Sequence, residues 1–326
     1  MVKKSAFVAV LVMFVFSLMF AVCVEPAMAA GKSNYPSKPI KWIVMWQAGG
    51  GGDTASRIYT KYLEQILGQK IVVENITGGG GSIGYAAAKN ARPDGYTLVV
   101  VQGDLPKYKP MNLAPLDISD FDVIGSFCYQ SPVLVAQSES HWNTAMDFAE
   151  EATKNPDKMT MGVSDIGGSH HQPLLLWMDQ AGFSAKAIAH DGSPAMNAAI
   201  LGGHVDVVSS YIRPAIPYVN DGVLKFIGYF GSERHPDFPD VPTFKELGYD
   251  IVWEIPYGIG GPKGLPEDVK EILEEANKKV WEIPEFRAEL EKLGQSVYKK
   301  DSAAYTEHLY KMQENITKAL SLMQSK

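Results

Sequence analysis

The 326-residue chain predicts an α/β fold in two domains, and three observations carry that prediction. Short apolar runs of strand length alternate with amphipathic runs of helix length. Two glycine runs, at residues 49–52 and 78–81, stand where a strand hands over to a helix. At about 150 residues per domain, a chain of this length suffices for two.

The elements follow in order. Residues 40–46 read as a buried strand. Ala55, Ile58, Tyr59, Tyr62, Leu63 and Ile66 recur at three and four, one face of a helix, with Asp53 placed to cap it and Gly68 to end it. Residues 71–73 form the next strand, an alanine-rich helix covers 82–90, Pro93-Asp94-Gly95 turns the chain, and 97–101 is a third strand. Such alternation implies a parallel sheet covered by helices. Residues 122–127 and 133–136 are short strands broken by Ser131-Pro132. A helix over 144–153 and a strand over 159–163 come next, and Gly167-Gly168-Ser169 leads into a helix to 180. A strand over 185–190, a helix over 194–201 and a strand over 205–209 continue the pattern. Pro214 starts a short helix, 225–230 is a strand, and 251–260 is extended with an interruption at Pro256. Amphipathic helices over 266–281, 284–293 and 302–323 close the chain as packing elements.

Composition narrows the class. With 46% hydrophobic and 21% charged residues the chain is globular, not disordered. Its net charge is −7, from 30 basic and 37 acidic residues, and it has no basic run. Nucleic acid is therefore excluded as a partner. Lys3 and Lys4, an apolar run over 6–24 and Ala27-Met28-Ala29 make a secretory signal over residues 1–29, cleaved after Ala29. Removing it takes Cys23 and leaves Cys128, so no internal disulfide forms. No other stretch is long and apolar enough to span a bilayer.

The glycine runs carry the chemistry. Glycine lets backbone approach a ligand, and a helix start adds partial positive charge, so each run is a candidate anion site needing no Lys or Arg. Residues 79–84 also satisfy GxGxxG, with Asp104 where a ribose-binding acid belongs. An exported chain meets no NAD pool, so the dinucleotide reading is set aside. A phosphate-binding P-loop fails because no Gly-Lys-Ser/Thr follows either run. Asp165, Ser169, His170 and His171 lie close in sequence, but no Gly-x-Ser-x-Gly elbow frames them. His170 and His171 are adjacent and point apart, so they do not chelate a metal together. Arg213 stands just beyond the carboxyl end of a strand, before Pro214, where a ligand's second acidic group would meet its fork.

An ordered set of motifs spans the chain. Tyr35-Pro36-Ser37-Lys38-Pro39-Ile40 is followed by Gly49-Gly50-Gly51-Gly52-Asp53, Val73-Glu74-Asn75 and Pro93-Asp94-Gly95-Tyr96-Thr97-Leu98. Asp191-Gly192-Ser193-Pro194-Ala195, Leu201-Gly202-Gly203-His204-Val205-Asp206, Asp240-Val241-Pro242-Thr243 and Gly261-Pro262-Lys263-Gly264-Leu265-Pro266 come later. The set closely resembles the extracytoplasmic solute receptors of tripartite tricarboxylate transporters, the Bug-type binding proteins. The resemblance implies a type II periplasmic-binding-protein fold: two α/β domains joined by two crossover strands, with a ligand cleft between. With crossovers near Ser131 and Gly231, domain one is 35–131 plus 232–326 and domain two is 132–231. It implies a periplasmic monomer, not an enzyme, that binds a small organic carboxylate without cofactor or metal. Citrate, other di- and tricarboxylates, aromatic acids, nicotinate-type acids and amino acids fall in the family's range. The partners implied are the large and small membrane subunits of a tripartite transporter. The candidate ligand-binding residues are Trp46, Gly50, Gly51, Asp53, Gly79, Gly81, Ser82, Gly168, Ser169, His170, Ser193 and Arg213. The chain departs from the family's pattern at Met45-Trp46-Gln47-Ala48, Ile166, Asp191 and Ser210-Tyr211, all near the expected cleft. Two other functions share parts of this reading: a sensory receptor paired with a sensor kinase, and an exported hydrolase using Ser169 and His170.

Overall fold

The computed structural model describes residues 34–324, with side-chain surroundings through residue 317. The signal over 1–29 and its cleavage point at Ala29 lie outside the described residues. From Tyr35 on, the elements below belong to one unit.

The first sheet has six strands. β1 (Ile40–Val44) lies between β2 (Ile71–Asn75) and β3 (Thr97–Gln102), parallel to both. β10 (Ile255–Pro262) runs antiparallel between β3 and β4 (Phe121–Gln130), and the two-residue β11 (Ser296–Val297) edges β4. Helices α1 (Gly51–Leu67), α2 (Ser82–Lys89), α7 (Glu267–Trp281), α8 (Pro284–Glu291) and α9 (Ser302–Gln324) belong to the same part of the chain. The apolar face of α1 supplies Tyr59, whose ring stacks on Phe127 of β4 at 4.1 Å and tilts against Trp42 of β1 at 5.5 Å. All three are fully buried. Burying side chains of this size contributes about 1.5–3 kcal/mol each.

The second sheet has five strands. β6 (Thr160–Val163) is parallel to β7 (Lys186–Ala189) and β8 (Val207–Ser210). β5 (Val133–Gln137) is antiparallel to β8 and to β9 (Leu224–Tyr229). The helices here are α3 (Ala145–Lys154), α4 (Gln172–Ala181), α5 (Ser193–Leu201) and α6 (Ile212–Asn220).

Both sheets are mixed, which corrects the expectation of a parallel sheet. The cause is local. Only Ser131 and Pro132 separate β4 from β5, and the chain passes there from one sheet into the other. Proline has no N–H to extend a ladder. A strand that enters a sheet from its neighbour meets the βαβ strands head-on. β10, returning to the first sheet, does the same. Pro256 does not interrupt it: β10 pairs with β4 through that residue, and pairing with β3 starts at Tyr257. Between β9 and β10 the chain stays on the second sheet. Phe244 stacks on Phe230 at 3.8 Å and meets Trp177 of α4 edge-on, and Phe238 meets Phe226 of β9.

Helix starts differ from expectation at three places. α1 begins at Gly51, so Asp53 lies inside its first turn and Gly50 is the N-cap, without a side-chain cap. Gly68 ends it as expected, with left-handed φ of 67°. α4 begins at Gln172, so Ser169, His170 and His171 occupy the turns before it. α6 begins at Ile212, so Pro214 does not open it and Arg213 is already helical.

Candidate functional site

The carboxyl ends of strands from both sheets converge on one cavity, where ligands of open α/β sheets bind. From the first sheet come Trp46 after β1, Gln102 and Asp104 at the end of β3, Tyr257 of β10, and Gly50, Gly51 and Gly52 at the start of α1. From the second come Ser164 after β6, Asp191 and Gly192 after β7, Ser193 and Pro194 opening α5, Tyr211 after β8, and His170. Gln47 closes the rim, its Nε2 donating to Asp191 Oδ2 at 2.7 Å. The cavity measures about 50 Å³, room for a few waters at roughly 10–15 Å³ each. A wider groove of about 760 Å³ runs along α1 and β2 past Arg57, Lys61 and Glu64, but gathers no strand ends from the second sheet.

Two helix starts point into the cavity uncapped. Neither α1 at Gly50 nor α5 at Gly192 has a side-chain cap, so first-turn N–H groups are left to a ligand or water. Gly51 leaves room where the two sheets meet. A Cβ there would press on the Gln130 amide and lie 3.0 Å from the Tyr211 ring. Its absence lets α1 approach the second sheet.

A hydrogen-bonded chain crosses the cavity floor. Trp46 Nε1 donates to Gln102 Oε1 at 2.9 Å, and Gln102 Nε2 to Asp104 Oδ2 at 3.3 Å. Ser169 donates to Asp104 Oδ1 through its N–H at 2.8 Å and also through its hydroxyl. Tyr257 Oη donates to Tyr211 Oη at 3.0 Å. His170 is buried edge-on against Tyr211, at 4.4 Å between ring centres. Burial, opposed by Asp104, pushes its pKa down to about 4, so the ring is neutral at ordinary pH. Beside this chain, the fully buried Lys107 Nζ pairs with the Asp165 carboxylate and donates to Gly80 O at 3.3 Å. It also lies 5.7 Å from the centre of the Trp46 ring.

Of the residues expected in the site, the structure gathers Trp46, Gly50, Gly51, His170 and Ser193 around the cavity. Ser169 stands behind it, holding Asp104. Asp53 faces inward to structure: it accepts from Gly49 N, Arg57 Nε and Asn75 Nδ2, which hold its pKa below the usual value against the opposing effect of burial. Gly79, Gly81 and Ser82 form a turn outside the lining, and Gly81 packs toward Trp46 and Tyr108. Gly168 packs against the Asp165 carboxylate. Arg213 is exposed, away from the cavity, and donates to Lys292 O at 2.7 Å. Its expected position rested on Pro214 opening the helix, and the helix opens earlier. Ser169 and His170 make no nucleophile–base pair, since Ser169 bonds Asp104 and His170 Nδ1 faces Ser209 Oγ at 3.4 Å.

Sequence reasoning missed Gln102, Lys107 and Tyr257. Asp104 enters the sequence reading only at the ribose-acid position of a dinucleotide motif that is set aside, although its place two residues past β3 puts it at a strand's carboxyl end. Asp191 and Tyr211 were visible as departures from the family pattern.

A family profile described as the tripartite tricarboxylate transporter family receptor matches residues 55–325. The chain belongs to that family. A UPF0065 protein in the gbd 5′ region of Cupriavidus necator is 32% identical over 286 residues, covering 86% of each chain. The periplasmic binding protein BugD is 26% identical, with a TM-score of 0.79 over 88% of this chain and 98% of BugD. A Rhodopseudomonas palustris protein solved with malate shares the fold, at TM-score 0.79 and 24% identity over 87% of this chain and 99% of that one. Fold and family are those of periplasmic solute-binding receptors. No helix among the described residues is long and apolar enough to cross a membrane.

Proposed function

We propose that this receptor captures a small organic carboxylate between its two sheets and delivers it to the large and small membrane subunits of a tripartite transporter. The observation that carries this reading is the pair of uncapped helix starts, at Gly50 and Gly192, aimed into one cavity. Their N–H groups and dipoles favour an anion. The chain acts as a monomer exported by its signal, with Ala30 as the first residue of the mature protein. The sequence motifs put its domains at 35–131 plus 232–326 and 132–231, and the aromatic packing moves the second of these boundaries. The packing of Phe238 and Phe244 on the second sheet supports a return crossing nearer Ile255 than Gly231.

Thermal shift and calorimetry on the mature chain test the binding, with mass spectrometry of whatever co-purifies. At least one carboxylic acid should raise the melting temperature, and its amide should not. Equal stabilisation by acid and amide would remove the anion from the reading. N-terminal sequencing from the native cell tests export: an intact Met1 would count against cleavage.

A further inference from the structure

The cavity has a carboxylate of its own and no cation to answer it. Asp104 is 3% exposed, and its donors are Ser169 and Gln102, all neutral groups. Asp191 adds a second carboxylate at the rim. No Lys or Arg lines the cavity among the described residues, and His170 is neutral. The nearby cations are committed elsewhere: Lys107 to Asp165, Arg57 to Asp53, and Arg213 to Lys292 O. A dicarboxylate seated with one end at the helix starts would bring its other charge toward Asp104 with nothing to neutralise it. Burying like charges together is strongly unfavourable. A cationic nitrogen in that place would neutralise Asp104. It would also lie among the rings of Trp46, Tyr211 and Tyr257, whose faces attract cations.

We propose that Asp104 is a specificity residue that makes this receptor select a zwitterion, a carboxylate held at the starts of α1 and α5 with a cationic nitrogen at Asp104. The inference rests on the carboxylate reading above and narrows it. It excludes dicarboxylates as the preferred ligands.

The test pairs ligands that differ in the one group. 4-Aminobutyrate is measured against succinate, and glycine betaine and L-proline against malate and adipate, by calorimetry on the mature wild-type chain. The zwitterions should bind at least about tenfold tighter, as expected for a hydrogen bond between charged groups. Asp104→Asn keeps an oxygen for the Ser169 N–H and loses the charge. It should weaken zwitterion binding about tenfold or more and strengthen dicarboxylate binding, with a native circular dichroism spectrum. Dicarboxylates binding wild type as tightly as zwitterions would overturn the proposal and leave the carboxylate reading standing. Binding of no acid or zwitterion at all would overturn both readings. The wild-type comparison decides the matter even if the variant does not fold.

Discussion

At the scale of single residues, what decides the site is who already holds each charge. Arg213 has the chemistry of a carboxylate clamp, but its guanidinium rests on a backbone carbonyl in solvent. Arg213→Ala should therefore leave ligand affinity within about 0.5 kcal/mol of wild type. A calorimetric loss of tenfold or more would return Arg213 to the site. Gly81 is the opposite case, a residue whose importance lies in what it lacks. Its φ is +96°, and a Cβ would come within 2.8 Å of Tyr108 Oη and 3.1 Å of Met45 Cγ. Gly81→Val meets a left-handed backbone cost of about 1–2 kcal/mol and an overpacking cost of about 1–3 kcal/mol. The melting temperature should fall, and Trp46, on which this turn packs, should lose its place; an unchanged melt would show that the turn relaxes freely. Glycine runs are legible in sequence because few residues tolerate such backbone. Lys107 was not, because a lysine written after Leu105-Pro106 looks like any surface lysine until Asp165 comes across to meet it.

At the scale of elements, the turns before α4 carry a titration. His170 and His171 are buried there, and desolvation pushes both pKa values down to about 4, from 6.5 in an exposed imidazole. Depressed histidines bind protons more readily when the chain unfolds. Between pH 6.5 and 4 the unfolded state holds more protons, so stability falls as pH falls through that window. Each ring contributes a slope of up to about 1.4 kcal/mol per pH unit. Thermal melts should show a lower midpoint at pH 5 than at pH 7, and His170→Gln with His171→Gln should reduce the difference, His308, which burial also pushes down to about 4, keeping part of it. A midpoint difference unchanged by the double variant would mean that neither ring is desolvated in the native state. His171 also shows why the turn stays ordered, since its Nδ1 accepts the Gly167 N–H at 2.9 Å. Most elements were legible from apolar periodicity, to within a few residues at their ends. β11 was not, because two residues carry no period. The mixed character of the sheets was not either, because strand direction is set by which sheet the chain has just left, as at Ser131-Pro132.

At the scale of the whole molecule, side chains fasten the two sheets to each other. Lys107 after β3 pairs with Asp165 after β6, Asp104 accepts from Ser169, Gln47 donates to Asp191, and Tyr257 to Tyr211. The family resemblance made a cleft legible in the sequence, but not these fastenings, which join residues separated by scores of positions. The Lys107–Asp165 pair should dominate, because it alone joins two opposite charges, with Lys107 1% and Asp165 14% exposed, whereas the other three links have a neutral donor. Removing one member of a buried pair costs about 3–5 kcal/mol where the remaining charge cannot reach water. Here it can reach water if the sheets part. Lys107→Met should thus shift the population toward an open form rather than unfold the chain. Small-angle scattering without ligand should give a larger radius of gyration for the variant than for wild type. Ligand should restore the compact profile, at a higher apparent Kd, because part of its binding energy now goes into closure. Identical ligand-free profiles for wild type and variant, with native circular dichroism in both, would mean that the pair does not hold the sheets together.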